Sequence, residues 1–244
     1  IGRGELIALI VSSCIGTGIF GITSDVAAAA APGPALLAWI FVGIGFLMLV
    51  LSLNNLSEKR PDLTSGIFSY AGAGFEPLGE FISGWSYWLS AWLGNIAFAT
   101  MLMSSIGTFF PTFKGGQNLP SIIIAIIFCW LLTILVNNGV ESASFVNMIG
   151  TICKVLPLVI FIIMMVVCFK AGMFTADFWG RVANNASRGT TTGSVWEQMK
   201  GTLMTLIWVF IGVEGASVMA SRAKSLTAAR EASLISFCLL VVIY

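Results

Sequence analysis

Six stretches of this chain, at about 5–23, 34–57, 78–110, 121–137, 143–170 and 201–221, hold almost no charge over the length needed to cross a bilayer, and a seventh begins near 228. A hydrocarbon core of about 30 Å takes about 20 residues of helix at 1.5 Å each. Only helices and closed barrels satisfy their own backbone groups in lipid, and these runs are too long and continuous for barrel strands of about ten residues. The expectation is an all-α integral membrane protein. Composition matters here because it names the solvent: 57% of residues are hydrophobic and 9% charged, against about 25% charged in an ordinary soluble domain. The surface must face lipid, so the bilayer is the first partner.

Several function classes fall away. A net charge of +1 supplies no basic stripe for a phosphate backbone, so nucleic acid is not an expected partner. The chain has no histidine, and Cys14, Cys129, Cys153, Cys168 and Cys238 are scattered singly through apolar runs with no CxxC spacing. They read as packing cysteines. No metal centre, cofactor or catalytic residue is expected, and no nucleophile has a base beside it: the chain does not read as an enzyme. It begins at Ile1 and stops at Tyr244 inside an apolar run, 234–244, too short to span, which reads as a fragment. The first run carries glycines and polar groups mid-span and no clear cleavage site, unlike a signal peptide.

Connections between the runs are short except 171–200, which reads as a surface loop ending in an interfacial segment, with Trp179 and Trp196 suited to the headgroup level. Asn185-Ala186-Ser187 is a glycosylation sequon of low specificity. With the amino terminus in the cytoplasm, Arg3, Lys59, Arg60, Arg222, Lys224 and Arg230 lie inside and Lys114, Lys170, Arg181, Arg188 and Lys200 outside. Arg181 and Arg188 sit in the long loop, where the positive-inside rule is weak. The expected topology is multi-pass in the cell membrane with a cytoplasmic amino terminus.

The informative residues are those a lipid-embedded helix should avoid. The first run contains Ser12-Ser13-Cys14-Ile15-Gly16-Thr17-Gly18-Ile19-Phe20-Gly21, a segment that can unwind. Its Gly16, Gly18 and Gly21 also match the dinucleotide-binding GxGxxG, but no strand precedes them and no α/β pattern surrounds them. The sixth run contains Trp208-Val209-Phe210-Ile211-Gly212-Val213-Glu214-Gly215-Ala216-Ser217. An acidic group at that depth costs several kcal/mol and defaults to a functional role; small residues for close helix packing are the blander reading. Two helices broken at similar depth point to a transporter site. A break exposes N–H groups on one side and carbonyls on the other, which suits the carboxylate and ammonium of a zwitterion.

The third run adds Tyr87, Trp88, Ser90, Trp92 and Asn95, with Ala91, Asn95 and Phe98 at i, i+4 and i+7 on one face. Asn95 is placed to hydrogen-bond a substrate side chain or, equally on spacing, to tie two helices. Lys154 lies about eleven residues into the fifth run, about 16 Å from its start, too deep to snorkel easily. It suits a proton carrier or a fixed counter-charge.

On the segments Gly16-Thr17-Gly18-Ile19-Phe20, Tyr87-Trp88-Leu89-Ser90-Ala91-Trp92-Leu93-Gly94-Asn95-Ile96-Ala97 and, above all, Trp208 to Ser217, the chain resembles the amino acid/polyamine/organocation transporters. Within them it is most similar to the basic amino acid antiporters that exchange arginine for ornithine or agmatine, and the resemblance extends over essentially the whole chain. It implies the LeuT-like inverted-repeat fold, covering helices 1 to 6 and part of 7: a first five-helix repeat over about 1–171, an external loop over 172–200, and helix six with the start of helix seven over 201–244. It implies that Thr17 and Gly18 bind the substrate carboxylate and that carbonyls near Cys14, Trp208 and Ile211 receive its ammonium, with Ile15 and Gly16 between them in the same site. Trp208 would gate the site, Ser90, Ala91, Asn95 and Phe98 would line the side-chain pocket, and Glu214 would support the gate. Some relatives carry a lysine in helix five in place of a bound sodium ion, and Lys154 resembles it. Ser13 and Thr17 depart from the asparagine and serine that arginine/agmatine exchangers tend to have. The expected function is arginine/ornithine exchange, with a small-molecule amino acid substrate as partner and the further contacts of helices 8 and 10 in a missing carboxy-terminal half. A proton-coupled lysine/arginine permease is the nearest alternative, and a non-transporting receptor or channel the alternative from another class.

Overall fold

A computed structural model of the protein describes residues 2–63, 65–137, 140–180, 193–215 and 224–244. The described chain is helical: α1 (Arg3–Cys14), α2 (Thr17–Ala29), α3 (Pro32–Lys59), α4 (Ile67–Ile106), a 3₁₀ turn at Pro111–Phe113, α5 (Leu119–Asn137), α6 (Val140–Val167), α7 (Ala171–Thr175), α8 (Val195–Phe210) and α9 (Leu226–Ile243). Among the described residues, α3, α4 and α5 are each long and apolar enough to cross a membrane, and α1 with α2 makes a fourth as one span bent by 48°. Within α6, Ile152–Val167 is a shorter apolar helix. These elements fall on the expected runs.

Local chemistry sets the ends. Proline opens α3, where its missing N–H costs nothing, and Lys59 in the last turn faces the negative end of the dipole. Asn118 Oδ1 accepts from the Ser121 N–H at 3.1 Å and starts α5, and Ser225 Oγ accepts from the Ala228 N–H at 3.1 Å and starts α9. Two features differ from the sequence reading. Helical turns from Ile67 precede the expected third run, which opens after a break at Phe75 (φ −129°) and Glu76 (φ 60°, ψ −167°) just before Pro77; proline disfavours helical geometry in its predecessor. The sixth begins not at 201 but at Val195, because Ser194 and Glu197 form a capping box.

The chain divides into two compact units, one of residues 1–83 with 169–244 and one of residues 84–168. In the first, α1 packs on α9, α3 on α8 and α9, and α2 on α8. Its core holds Leu6 and Ile10 of α1, Ala38 and Val50 of α3, Val209 and Phe210 of α8, and Leu240 of α9. Phe210 is fully buried, its ring 5.1 Å from Trp39, 5.0 Å from Phe46 and 5.7 Å from Phe237. One end of this unit carries ion pairs, Arg3 with Glu231 and Arg230 with Glu58, both at 2.7 Å. In the second unit α5 packs on α6 and on the 3₁₀ turn. Ile122, Ile123, Ile124, Phe128 and Leu132 of α5 are exposed and go right round the helix at about 100° per residue, the all-round apolar surface of a helix solvated by lipid.

Candidate functional site

The two glycine-containing breaks of the sequence lie against each other. Helix α1 stops at Cys14; Ile15 (φ −71°, ψ 80°) and Gly16 (φ −110°, ψ −154°) leave helical geometry before α2 resumes at Thr17. Helix α8 stops at Phe210, and Gly212 takes φ 113°, a conformation that side chains disfavour. A Cβ on Gly212 would stand 3.1 Å from Cys14 Sγ, and one on Gly18 would stand 2.9 Å from Val209 Cγ1. Both glycines are therefore required by close approach as much as by unwinding.

The breaks distribute polar backbone in a defined way. No side chain caps the start of α2, so its first N–H groups, backed by the helix dipole, face the break. In the other break, Ile211 N–H donates to the Trp208 carbonyl at 3.2 Å and Val213 N–H to the Phe210 carbonyl at 3.3 Å. Glu214 Oε2 accepts from the Gly212 N–H at 2.9 Å, so this carboxylate braces the turn that replaces the helix. The Cys14 carbonyl accepts from the Gly16 N–H at 2.8 Å and from the Tyr244 hydroxyl at 2.8 Å. Trp208, in the last turn of α8, is 38% exposed. Ala216 and Ser217, the end of the sixth-run motif, lie outside the described residues.

The structure thus sets the break at 14–18 against the break at 209–212, with Trp208 and Ile211 beside the contacting residues in sequence and Glu214 bonded to Gly212. Ser90, Ala91, Asn95 and Phe98 lie on α4 in the other unit. There Asn95 and Phe98 line a groove of about 760 Å³ with Trp92, Cys129, Trp130 and Thr133. Lys154 is half-buried on α6, three residues before Pro157, whose lack of an N–H leaves the Cys153 carbonyl without its helical donor. All five cysteines are free, Cys14 buried and the others exposed.

Sequence reasoning missed two residues. Gln198 is 4% exposed; its Oε1 accepts from the Ala31 N–H at 2.9 Å, and its Nε2 donates to the carbonyls of Trp179 at 3.2 Å and Gly193 at 3.1 Å. It staples the start of α8 to the α2–α3 junction. The Ser194-x-x-Glu197 signature announces that helix start, whereas nothing local announces Gln198. The other is Tyr244, whose partner is 230 positions away.

A family model described as amino acid permease matches residues 1–244. The chain is 54% identical over its whole length to an arginine/ornithine antiporter of Latilactobacillus sakei, of which it covers 50%. It is 46% identical to an arginine/ornithine antiporter of Lactococcus lactis, with all of this chain and 49% of that protein covered. To an arginine/agmatine antiporter of Chlamydia felis it is 44% identical, with 99% and 50% covered. The chain spans about half the length of the curated relatives it matches.

Proposed function

We propose that this chain, which belongs to the amino acid permease family, works as part of an exchanger that carries arginine one way and ornithine the other across a cell membrane, without covalent chemistry. The observation that carries the reading is the apposition of the two breaks, Gly212 on Cys14 and Gly18 on Val209. Buried breaks leave N–H groups and carbonyls that lipid cannot satisfy, and a zwitterionic ligand satisfies both. In this reading the N–H groups at Thr17 and Gly18 hold the carboxylate, the carbonyl side near Cys14, Trp208 and Ile211 receives the ammonium, and Ile15 and Gly16 form the turn between them. Trp208 closes over the ligand, and Glu214 keeps the second break in shape. Ser90, Ala91, Asn95 and Phe98 line the pocket for the cationic side chain through amide and aromatic faces, since cation–π contacts are worth up to about 2 kcal/mol when desolvated.

The proposed organisation is a first five-helix repeat over 1–171, an external loop over 172–200 and helix six with the start of seven over 201–244. The remaining contacts, from helices 8 and 10, are assigned to the further length that the relatives have. A cytoplasmic amino terminus is supported by the clustering of Arg3, Glu58, Arg230 and Glu231 at one end of the first unit, with Lys59 and Arg60 beside them in sequence. The similarity to antiporters at 54% and 46% identity supports exchange over proton-coupled import.

Counterflow tests the reading. Full-length protein in vesicles preloaded with ornithine should take up labelled arginine one for one, and empty vesicles should take up none. Uptake into empty vesicles driven by a proton gradient would replace exchange with import.

A further inference from the structure

The acceptor proposed for the substrate's ammonium is already engaged. A carbonyl oxygen has two lone pairs, and the Cys14 carbonyl uses both, one on the Gly16 N–H and one on the Tyr244 hydroxyl, each at 2.8 Å. Cys14 is 5% exposed, and as the last residue of α1 it has no helical donor for this carbonyl. Water cannot easily serve it there, and an unmet carbonyl is costly. The Gly16 N–H is part of the break itself and stays with it. The Tyr244 hydroxyl arrives on the side chain of the residue that follows α9, whose ring meets Trp39 edge-on at 6.2 Å and Phe210 edge-on at 6.0 Å. Phe210 is the last residue of α8 before the second break. Tyr244 therefore touches both breaks at once, by hydrogen bond to the first and by ring to the second.

We propose that the Tyr244 hydroxyl is a stand-in for the substrate's α-ammonium: it holds the Cys14 carbonyl in the empty protein and is displaced when an amino acid binds. The inference rests on the exchanger reading of the site. Its consequence is a tax on affinity, because every amino acid that uses this carbonyl must first break the tyrosine bond. A ligand without an α-ammonium leaves the bond in place and escapes the tax. Tyr244→Phe keeps the ring against Trp39 and Phe210 and removes only the competitor.

The experiment measures equilibrium binding of L-arginine and of 5-guanidinopentanoate, which is arginine lacking its α-ammonium, to the full-length wild type and to Tyr244→Phe. Arginine should bind the variant about three- to tenfold more tightly, the range set by the net worth of one hydrogen bond, and 5-guanidinopentanoate should bind both proteins equally. Unchanged or weaker arginine binding by the variant overturns the proposal, as does an equal gain for both ligands, which a merely structural role would produce. Should the variant fail to fold, wild-type protein with 3-fluorotyrosine at position 244 decides. Its ¹⁹F resonance should shift with arginine and not with 5-guanidinopentanoate, and equal responses overturn the proposal. Failure of the wild type to bind arginine or ornithine would sink the exchanger reading and this inference together, whereas wild-type binding with no effect of Tyr244→Phe sinks the inference alone.

Discussion

Residues at the breaks are held by contacts that tolerate little change. A Cβ on Gly18 already falls 2.9 Å from Val209 Cγ1, closer than carbon atoms pack, so a larger side chain must push α8 away from α2. Gly18→Leu should therefore abolish arginine binding while membrane insertion, checked by the protein's yield in the membrane fraction, stays normal; retained affinity would remove this segment from the site. The glycines were legible because a Gly-Thr-Gly step and a glycine-flanked glutamate violate the rules for a lipid-embedded helix. Tyr244 was not, because a tyrosine in an apolar run has many ordinary uses, and only the fold carries it to Cys14.

At the scale of elements, α8 shows how two turns of helix are added by a cap. Ser194 Oγ accepts from the Glu197 N–H at 3.3 Å, and Glu197 Oε2 accepts from the Ser194 N–H at 2.8 Å. Ser194→Ala should cost about 1 kcal/mol of local stability, seen as faster amide exchange over the first turns of α8 with little change beyond them. The bond from the Ser194 backbone holds the Glu197 carboxyl below the usual carboxylate range. A depressed folded value stabilises the folded form above the unfolded value, near pH 4.3, and the contribution is lost as pH falls through the folded value. Ser194→Ala keeps that backbone bond and loses the one that the Ser194 hydroxyl donates to Glu197 Oε2 at 3.1 Å, which also lowers the carboxyl, so the part of the difference between wild type and variant that this bond supplies should shrink in acid; a gap that widens below pH 4 would contradict this assignment. The break in α4 was foreshadowed by Pro77, but the turns of helix before it were not. Their Gly-rich stretch 72–79 reads as a connection, since glycine is a poor helix former.

For the whole molecule, the half-buried Lys154 on α6 carries the coupling prediction. An ammonium in a membrane helix is costly unless it is partnered, and on the proposed reading the Lys154 ammonium stands in for a coupling sodium ion. Exchange should run at the same rate when sodium is replaced by choline, and Lys154→Ala should slow it; a sodium requirement in the wild type would end this reading. If the lysine passes a proton in each cycle, the pH dependence of transport should vanish in the variant alone.

The sequence by itself determined the solvent, the helical class, the approximate spans and the two places where helices break, because each follows from local quantities: the length of an apolar run, the absence of charge, a glycine or an acid where lipid forbids it. Only the tertiary structure decided that the breaks meet, that Gly212 lies on Cys14, that Gln198 ties α8 to the α2–α3 junction and that Tyr244 fills the Cys14 carbonyl. Those contacts join residues as much as 230 positions apart. No propensity or periodicity encodes such pairs; they arise when packing of α1, α2, α3, α8 and α9 brings distant backbone groups within hydrogen-bonding reach, where a buried donor or acceptor must find a partner.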